Sequence, residues 1–179
     1  MTNTEIIDIL KKINILKKIK RTGWVREEIK DPESVADHSF QLAFIAMLLA
    51  EELGCDQLKV IKMALIHDAA EYIVGDIVWE RGKKIDHELR LSKEEQEMKV
   101  SKELFSEMGE DYHALFEEYI KRETREAQIV WELDKLERAF QAFEYQNEEE
   151  KDLFEFYESG ELFIQNPKLI ELLKEIWKK

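Results

Sequence analysis

Apolar residues recur along this chain at helical rather than alternating spacing. Ile6, Ile9, Leu10, Ile13 and Leu16 share one helical phase within residues 4–20, and Gly23 closes that segment. Residues 22–33, which include Pro32, read as a loop. A second helix is expected over 34–53 with Gly54 as its stop, and a third from a cap at Asp56 to about Ile73, before a Gly75-Asp76 turn. Residues 79–91, with Arg81-Gly82-Lys83-Lys84, read as a mobile loop. Ser92-Lys93-Glu94-Glu95 has the form of a capping box that opens a helix to Met108, ended by Gly109. Further helices are expected over 111–121, 124–146 and 147–159, and from the Asn166-Pro167 start to Lys179. No run alternates long enough to make a sheet. The pattern predicts an all-α chain, a single compact bundle of about seven to nine helices.

One apolar stretch carries an anomaly. Val60 to Glu71 reads as a core helix, yet His67-Asp68 sits in its middle. Burying an unpaired carboxylate is costly, so such a group is neutralised, paired or bound to a metal. The second helix places His38 in phase with Leu42, Ile45 and Leu49, on the core-facing stripe. On the third, Ala64, His67 and Glu71 share a face, and Asp68 is offset by about 100°. On the long helix Asp134 lies beside Leu133 at the edge of the stripe formed by Ile129, Val130, Leu133, Leu136 and Phe140. Each residue alone has an ordinary reading: a hydrogen-bonded core histidine, or an Asp134 paired with Lys135 or Arg138. Together, two imidazoles and two carboxylates converging from three helices suit a first-row divalent ion with positions left for water and substrate.

Composition narrows the surroundings. The chain has 179 residues, enough for one domain with a substantial core, and a net charge of -13. That charge argues against binding a nucleic-acid polymer through a basic face, although a local cationic pocket for a small anion remains open. The longest apolar stretch, residues 42–50, falls well short of the ~20 residues a membrane span needs and is followed by Glu51-Glu52. The first residues lack a signal-peptide layout, and the lone Cys55 precludes an internal disulfide. A cytoplasmic protein with no membrane partner is expected.

The order His, His-Asp and a distant Asp is the signature of the HD-domain metal-dependent phosphohydrolases. More narrowly, Arg21-Thr22-Gly23-Trp24-Val25, Glu33-Ser34-Val35-Ala36-Asp37-His38, Met63 through Glu71, Gly75-Asp76-Ile77 and Leu133-Asp134-Lys135-Leu136 resemble the 5'-deoxynucleotidase branch of that family. The resemblance runs from about residue 13 to 143. It implies one HD domain over 1–179, with helices over 147–179 packed on the core. It also implies that His38, His67, Asp68 and Asp134 hold one divalent ion, whether Co, Mn, Zn, Ni, Fe or Mg. Glu71 and Asp76 would be the catalytic carboxylates, with Glu71 orienting or deprotonating the attacking water. Asp76 would position the nucleophile or protonate the leaving 5'-oxygen. Trp24 and Arg21 would contact substrate, although some bacterial members carry Arg where this chain has Gly23. The substrate class implied is a 2'-deoxynucleoside 5'-monophosphate, cleaved to deoxynucleoside and phosphate by what is commonly a homodimer. Lys83 and Lys84 are further candidates for phosphate contact. His87 and His113 lie in polar contexts and are expected to be exposed, which favours one metal over two. The competing readings are an HD phosphohydrolase of another nucleotide (cyclic, triphosphate or alarmone) and a non-catalytic helical module with a structural metal.

Overall fold

The structure is a computed structural model that describes residues 1–106 and 108–178. Helix α1 spans Asn3–Ile15 and opens with a reciprocal capping box between Thr2 and Glu5. It stops short of the expected Lys20 because the following backbone pairs elsewhere. Val35 N donates to Ile19 O at 2.9 Å, Arg21 N donates to Glu33 O at 3.1 Å, and Lys20 bridges Ser34. The expected loop over 22–33 contains a short helix, α2 (Thr22–Arg26). Helix α3 (Val35–Leu49) begins at a Ser34–Asp37 capping box, and α4 (Gln57–Ile66) at an Asp56 cap.

The third expected helix is broken. It ends at Ile66, residues 67–70 form a turn, and a four-residue helix α5 (Glu71–Val74) follows, closed by Gly75 at φ 79°. His67 and Asp68 therefore sit on a turn at the end of α4, which frees both side chains to face the same side.

The expected loop over 79–91 contains a hairpin and the start of a helix. Strands β1 (Glu80–Arg81) and β2 (Lys84–Ile85) pair antiparallel around Gly82, whose φ of 55° suits the tight turn. Helix α6 (His87–Ser106) starts before Ser92, because Asp86 Oδ1 accepts from Leu89 N at 2.9 Å and caps it. The Ser92-Glu95 box is thus helix interior. Helices α7 (Glu110–Lys121) and α8 (Arg125–Glu149) follow, then α9 (Phe154–Phe163) and α10 (Pro167–Ile176). The expected break at 146/147 falls inside α8, which ends instead at a left-handed Glu150. Lys179, the expected end of the last helix, lies outside the described residues.

The architecture is all-α, with eight helices of ten residues or more and two shorter ones among the described residues. Helix α8 is its axis. Ala127, Val130, Leu133, Leu136 and Ala139 pack against Leu42, Ala46, Val60, Met63 and Ala64 of α3 and α4, and against Leu169 and Leu173 of α10. A smaller cluster joins Trp24 of α2 to Ala142 and Tyr145 of α8 and to Leu153 and Phe156 around α9. Gly160 permits the close approach of α9: a Cβ there would lie 3.0 Å from Leu173 Cδ2. No helix among the described residues is long and apolar enough to cross a membrane.

Candidate metal centre

Three segments bring the four expected ligands together. His38 projects from the first turns of α3, His67 and Asp68 from the turn after α4, and Asp134 from the middle of α8; all four are buried. His38 Nε2 lies 3.1 Å from Asp134 Oδ1 and 3.9 Å from Asp68 Oδ2. His67 Nε2 lies 3.0 Å from Asp68 Oδ2. The His38, His67 and Asp134 ligand atoms all fall within 4.8 Å of one another.

The outer nitrogens of both rings are already used. His67 Nδ1 is 2.7 Å from Ala64 O, a carbonyl that can only accept, so this nitrogen carries a proton and Nε2 is turned towards the carboxylates. His38 Nδ1 is 2.5 Å from Glu137 Oε2. Both Nε2 atoms are buried without a hydrogen-bond partner. Imidazoles oriented through Nδ1, with Nε2 free beside carboxylates, are the arrangement of metal-bound histidine, so the residues present fit a divalent ion.

The electrostatics agree. Burial opposes a charge on Asp68, but His67, Lys93 and Arg21 outweigh it and hold the carboxyl well below its usual range. Burial likewise opposes Asp134, and Lys135 and His38 overcome it. Burial and Arg21 disfavour a charged His38, yet Glu137 and Asp134 push it up to about 10. The field that draws a proton to His38 also favours a divalent ion, and the two compete for the same nitrogen. Asp134 also unites both sequence readings: Oδ1 faces His38 while Oδ2 pairs with Lys135 Nζ at 3.0 Å.

The two candidate catalytic carboxylates flank this group. Glu71 is fully buried; Oε1 accepts from Lys93 Nζ at 2.7 Å and Oε2 has no partner. Burial and nearby Asp68 raise Glu71 well above the ordinary glutamate range, against the pull of Lys93. Asp76 is held by the start of α2, where Thr22 N donates to Oδ2 at 2.5 Å and Thr22 Oγ1 donates to the Asp76 carbonyl. Arg21 Nη1 bridges Asp68 Oδ2 at 3.0 Å and Asp76 Oδ1 at 3.5 Å. Arg21 thus stands at the centre, next to both a candidate ligand and a candidate catalytic group.

Arg21, His67, Asp68, Asp76, Lys93 and Asp134 line a cleft that opens to solvent, whereas His38 and Glu71 are fully buried and are not among its lining residues. Trp24 lies in the wall of the cleft. It is 1% exposed, its ring is covered by Phe156 and Tyr145 at centroid distances of 4.4 and 5.3 Å, and Nε1 donates to Glu33. It forms part of the cleft wall and of the core rather than an open stacking face. Lys83 and Lys84 are exposed and do not line the cleft; its cations include Arg21, Arg26, Arg122, Arg138, Lys93 and Lys135. His87 is exposed as expected, whereas His113 is half-buried, 3.3 Å from Ser101 Oγ. Neither lines the cleft.

Sequence reasoning missed Glu137, Lys93, Glu97 and Glu80. Glu137 falls three residues after Asp134 on the same side of α8, and that spacing was the available signal. Glu80 tethers the β-hairpin over the cleft: it accepts from Ser159 Oγ at 2.9 Å and pairs with Arg138.

Comparison with known proteins places the chain in a family. A family model for the HD domain matches residues 13–177. The human protein named 5'-deoxynucleotidase HDDC2 is 35% identical over 175 residues, covering 96% of this chain and 84% of that protein. The Schizosaccharomyces pombe 5'-deoxynucleotidase hdd1 is 34% identical over 168 residues, 90% of this chain and 83% of its own. A solved structure of a conserved hypothetical protein from Pyrococcus furiosus superposes with a TM-score of 0.80 at 39% identity, covering 97% of this chain and 99% of that one. A predicted metal-dependent phosphohydrolase from Magnetospirillum magnetotacticum superposes with a TM-score of 0.72 at 26% identity, covering 97% and 89%.

Proposed function

The chain belongs to the HD-domain family, and on that footing we propose that it is a metal-dependent 5'-deoxynucleotidase. It would hydrolyse 2'-deoxynucleoside 5'-monophosphates to deoxynucleoside and phosphate. One observation carries this reading most: two buried imidazole Nε2 atoms without hydrogen-bond partners face Asp68 and Asp134, with Glu71 alongside. His38, His67, Asp68 and Asp134 would hold one divalent ion, drawn from Co, Mn, Zn, Ni, Fe and Mg. Such an ion, when bound, polarises a phosphoryl oxygen and makes a bound water more acidic.

The chain's own groups supply the rest. Glu71, anchored through Oε1, presents Oε2 to orient the attacking water and accept its proton. Arg21 supplies charge for the phosphate. Of the two roles open to Asp76, its contacts with Thr22 and Arg21 favour positioning over proton donation. Trp24 shapes the wall against which substrate rests.

The test is a nucleotide panel. Protein stripped with a chelator should be inactive, and one of Co2+, Mn2+, Mg2+ or Zn2+ should restore phosphate release from deoxynucleoside monophosphates, with ribonucleotides much slower. Release from a cyclic nucleotide, triphosphate or alarmone instead would move the substrate class. Silence with every metal and nucleotide would leave a helical module with a structural ion.

A homodimer fits the outer face of α3. Phe40, Phe44, Met47 and Leu48 are exposed there at helical spacing, Phe40 by 69%, and the Phe40 and Phe44 rings lie 6.4 Å apart. An exposed apolar helix face of this kind marks an interaction surface. Phe44→Asp should shift the light-scattering mass from two chains to one; a wild-type mass of one chain would refute the dimer. The lone Cys55 and the lack of a spanning helix among the described residues support a cytoplasmic location.

A further inference from the structure

Tyr119 lies near the end of α7, with its ring buried in the main core. The ring stands edge-on to the imidazole of His67, at a centroid distance of 5.6 Å and 80° between planes. It is tilted against Trp131 at 6.4 Å. A short connection adds to these contacts in fixing it. A left-handed Arg122 closes α7 and a Thr124 cap opens α8, so residues 122–124 alone separate the helix of Tyr119 from the helix of Asp134.

A buried tyrosine normally finds a hydrogen-bond partner for its O–H. The Tyr119 hydroxyl has none among the described residues. It is not sealed in the interior as the unpartnered Nε2 atoms of His38 and His67 are, and Tyr119 lines the cleft. Burial, together with the charges of Asp134 and Asp68, pushes the phenol well above the ordinary tyrosine range, so it keeps its proton. The core thus holds a rigid, neutral donor beside the candidate ligands, turned towards the space a substrate would fill.

We propose that Tyr119 is a substrate-binding residue whose hydroxyl donates a hydrogen bond to a non-bridging phosphoryl oxygen. This rests on the phosphohydrolase reading for the nature of the substrate. The place suits a phosphate, because His67, Asp68 and Asp134 gather there and their carboxylates offer no donor. Arg21, the charged donor, is already shared between Asp68 and Asp76. A phenol supplies a further donor without another cation for those carboxylates to capture. Its ring is held in place before the substrate arrives, and a preoriented donor stabilises developing charge most.

Tyr119→Phe removes the hydroxyl and keeps the ring between His67 and Trp131. Wild type and variant are loaded with Mn2+, their manganese per chain is measured, and the binding of inorganic phosphate is followed by calorimetry. Metal content should be equal, and the phosphate Kd should rise about 10-fold in the variant. With deoxynucleoside monophosphates, kcat/KM should fall on the order of 10²-fold. Loss of manganese in Tyr119→Phe would overturn the assignment and make Tyr119 a support for His67. An unchanged phosphate Kd would overturn it as well, and a fall in kcat/KM beside that unchanged Kd would move the hydroxyl to the nucleoside. A raised phosphate Kd alongside a wild type silent on every deoxynucleotide would sink the deoxynucleotidase reading and leave Tyr119 a phosphate donor.

Discussion

Asp134→Asn should strip the protein of its metal. The substitution keeps the side chain's shape but removes the charge that faces His38 Nε2 at 3.1 Å. Metal content after gel filtration should fall from about one ion per chain to a small fraction of that, and kcat/KM should fall with it. The same change also acts on stability in the metal-free protein. Lys135 is buried, and its ammonium pairs with Asp134 Oδ2 at 3.0 Å, with Glu80 farther off at 3.9 Å. Removing one partner of a buried ion pair typically costs about 3–5 kcal/mol, and the Glu80 contact places this case near the lower end. Urea unfolding of chelated wild type and variant measures that cost. Full metal occupancy in Asp134→Asn would take Asp134 out of the ligand set and leave only its pairing with Lys135.

Glu71→Gln should have the opposite signature: metal retained, turnover lost. The amide oxygen can still accept from Lys93, which holds Oε1 at 2.7 Å, so the local packing survives. What disappears is the carboxylate oxygen that would take a proton from water. A positioned general base typically contributes about 10²–10⁴-fold, so kcat should drop on the order of 10³-fold while KM changes little. If metal is lost along with activity, Glu71 is itself a ligand and its role as base is wrong. Unchanged turnover would move the proton transfer to another group.

The candidate ligand quartet was legible because it broke a rule. His38, His67, Asp68 and Asp134 are polar residues within apolar stripes, and periodicity alone flags such positions. Glu137, Lys93 and Glu97 broke no visible rule. In a chain that is 37% charged, a Lys-Glu pair at i, i+4 reads as a solvated surface pair, and pattern gives no measure of burial. The end of α4 at Ile66 was hidden for a related reason. Ala69-Ala70-Glu71 favours helix on propensity, and tertiary contacts override it to turn His67 and Asp68 inward. The hairpin over 80–85 was read as mobile because Arg81-Gly82-Lys83-Lys84 is polar and glycine-containing. Its anchor, Glu80, is buried against Arg138 and Ser159, residues far along the chain that local reading does not connect. Trp24 was ambiguous between core and substrate contact, and the covering rings come from Tyr145 and Phe156, equally distant in sequence.

Those distant partners tie the cleft to the later helices. All four candidate ligands precede residue 135, whereas the Phe156 and Ser159 that wall the cleft belong to α9, which begins at Phe154. Helix α8, which carries Asp134, is itself packed on Leu169 and Leu173 of α10. Domains fold as units, so a chain cut before α9 should lack both the enclosure of the cleft and the support of the helix on which Asp134 stands.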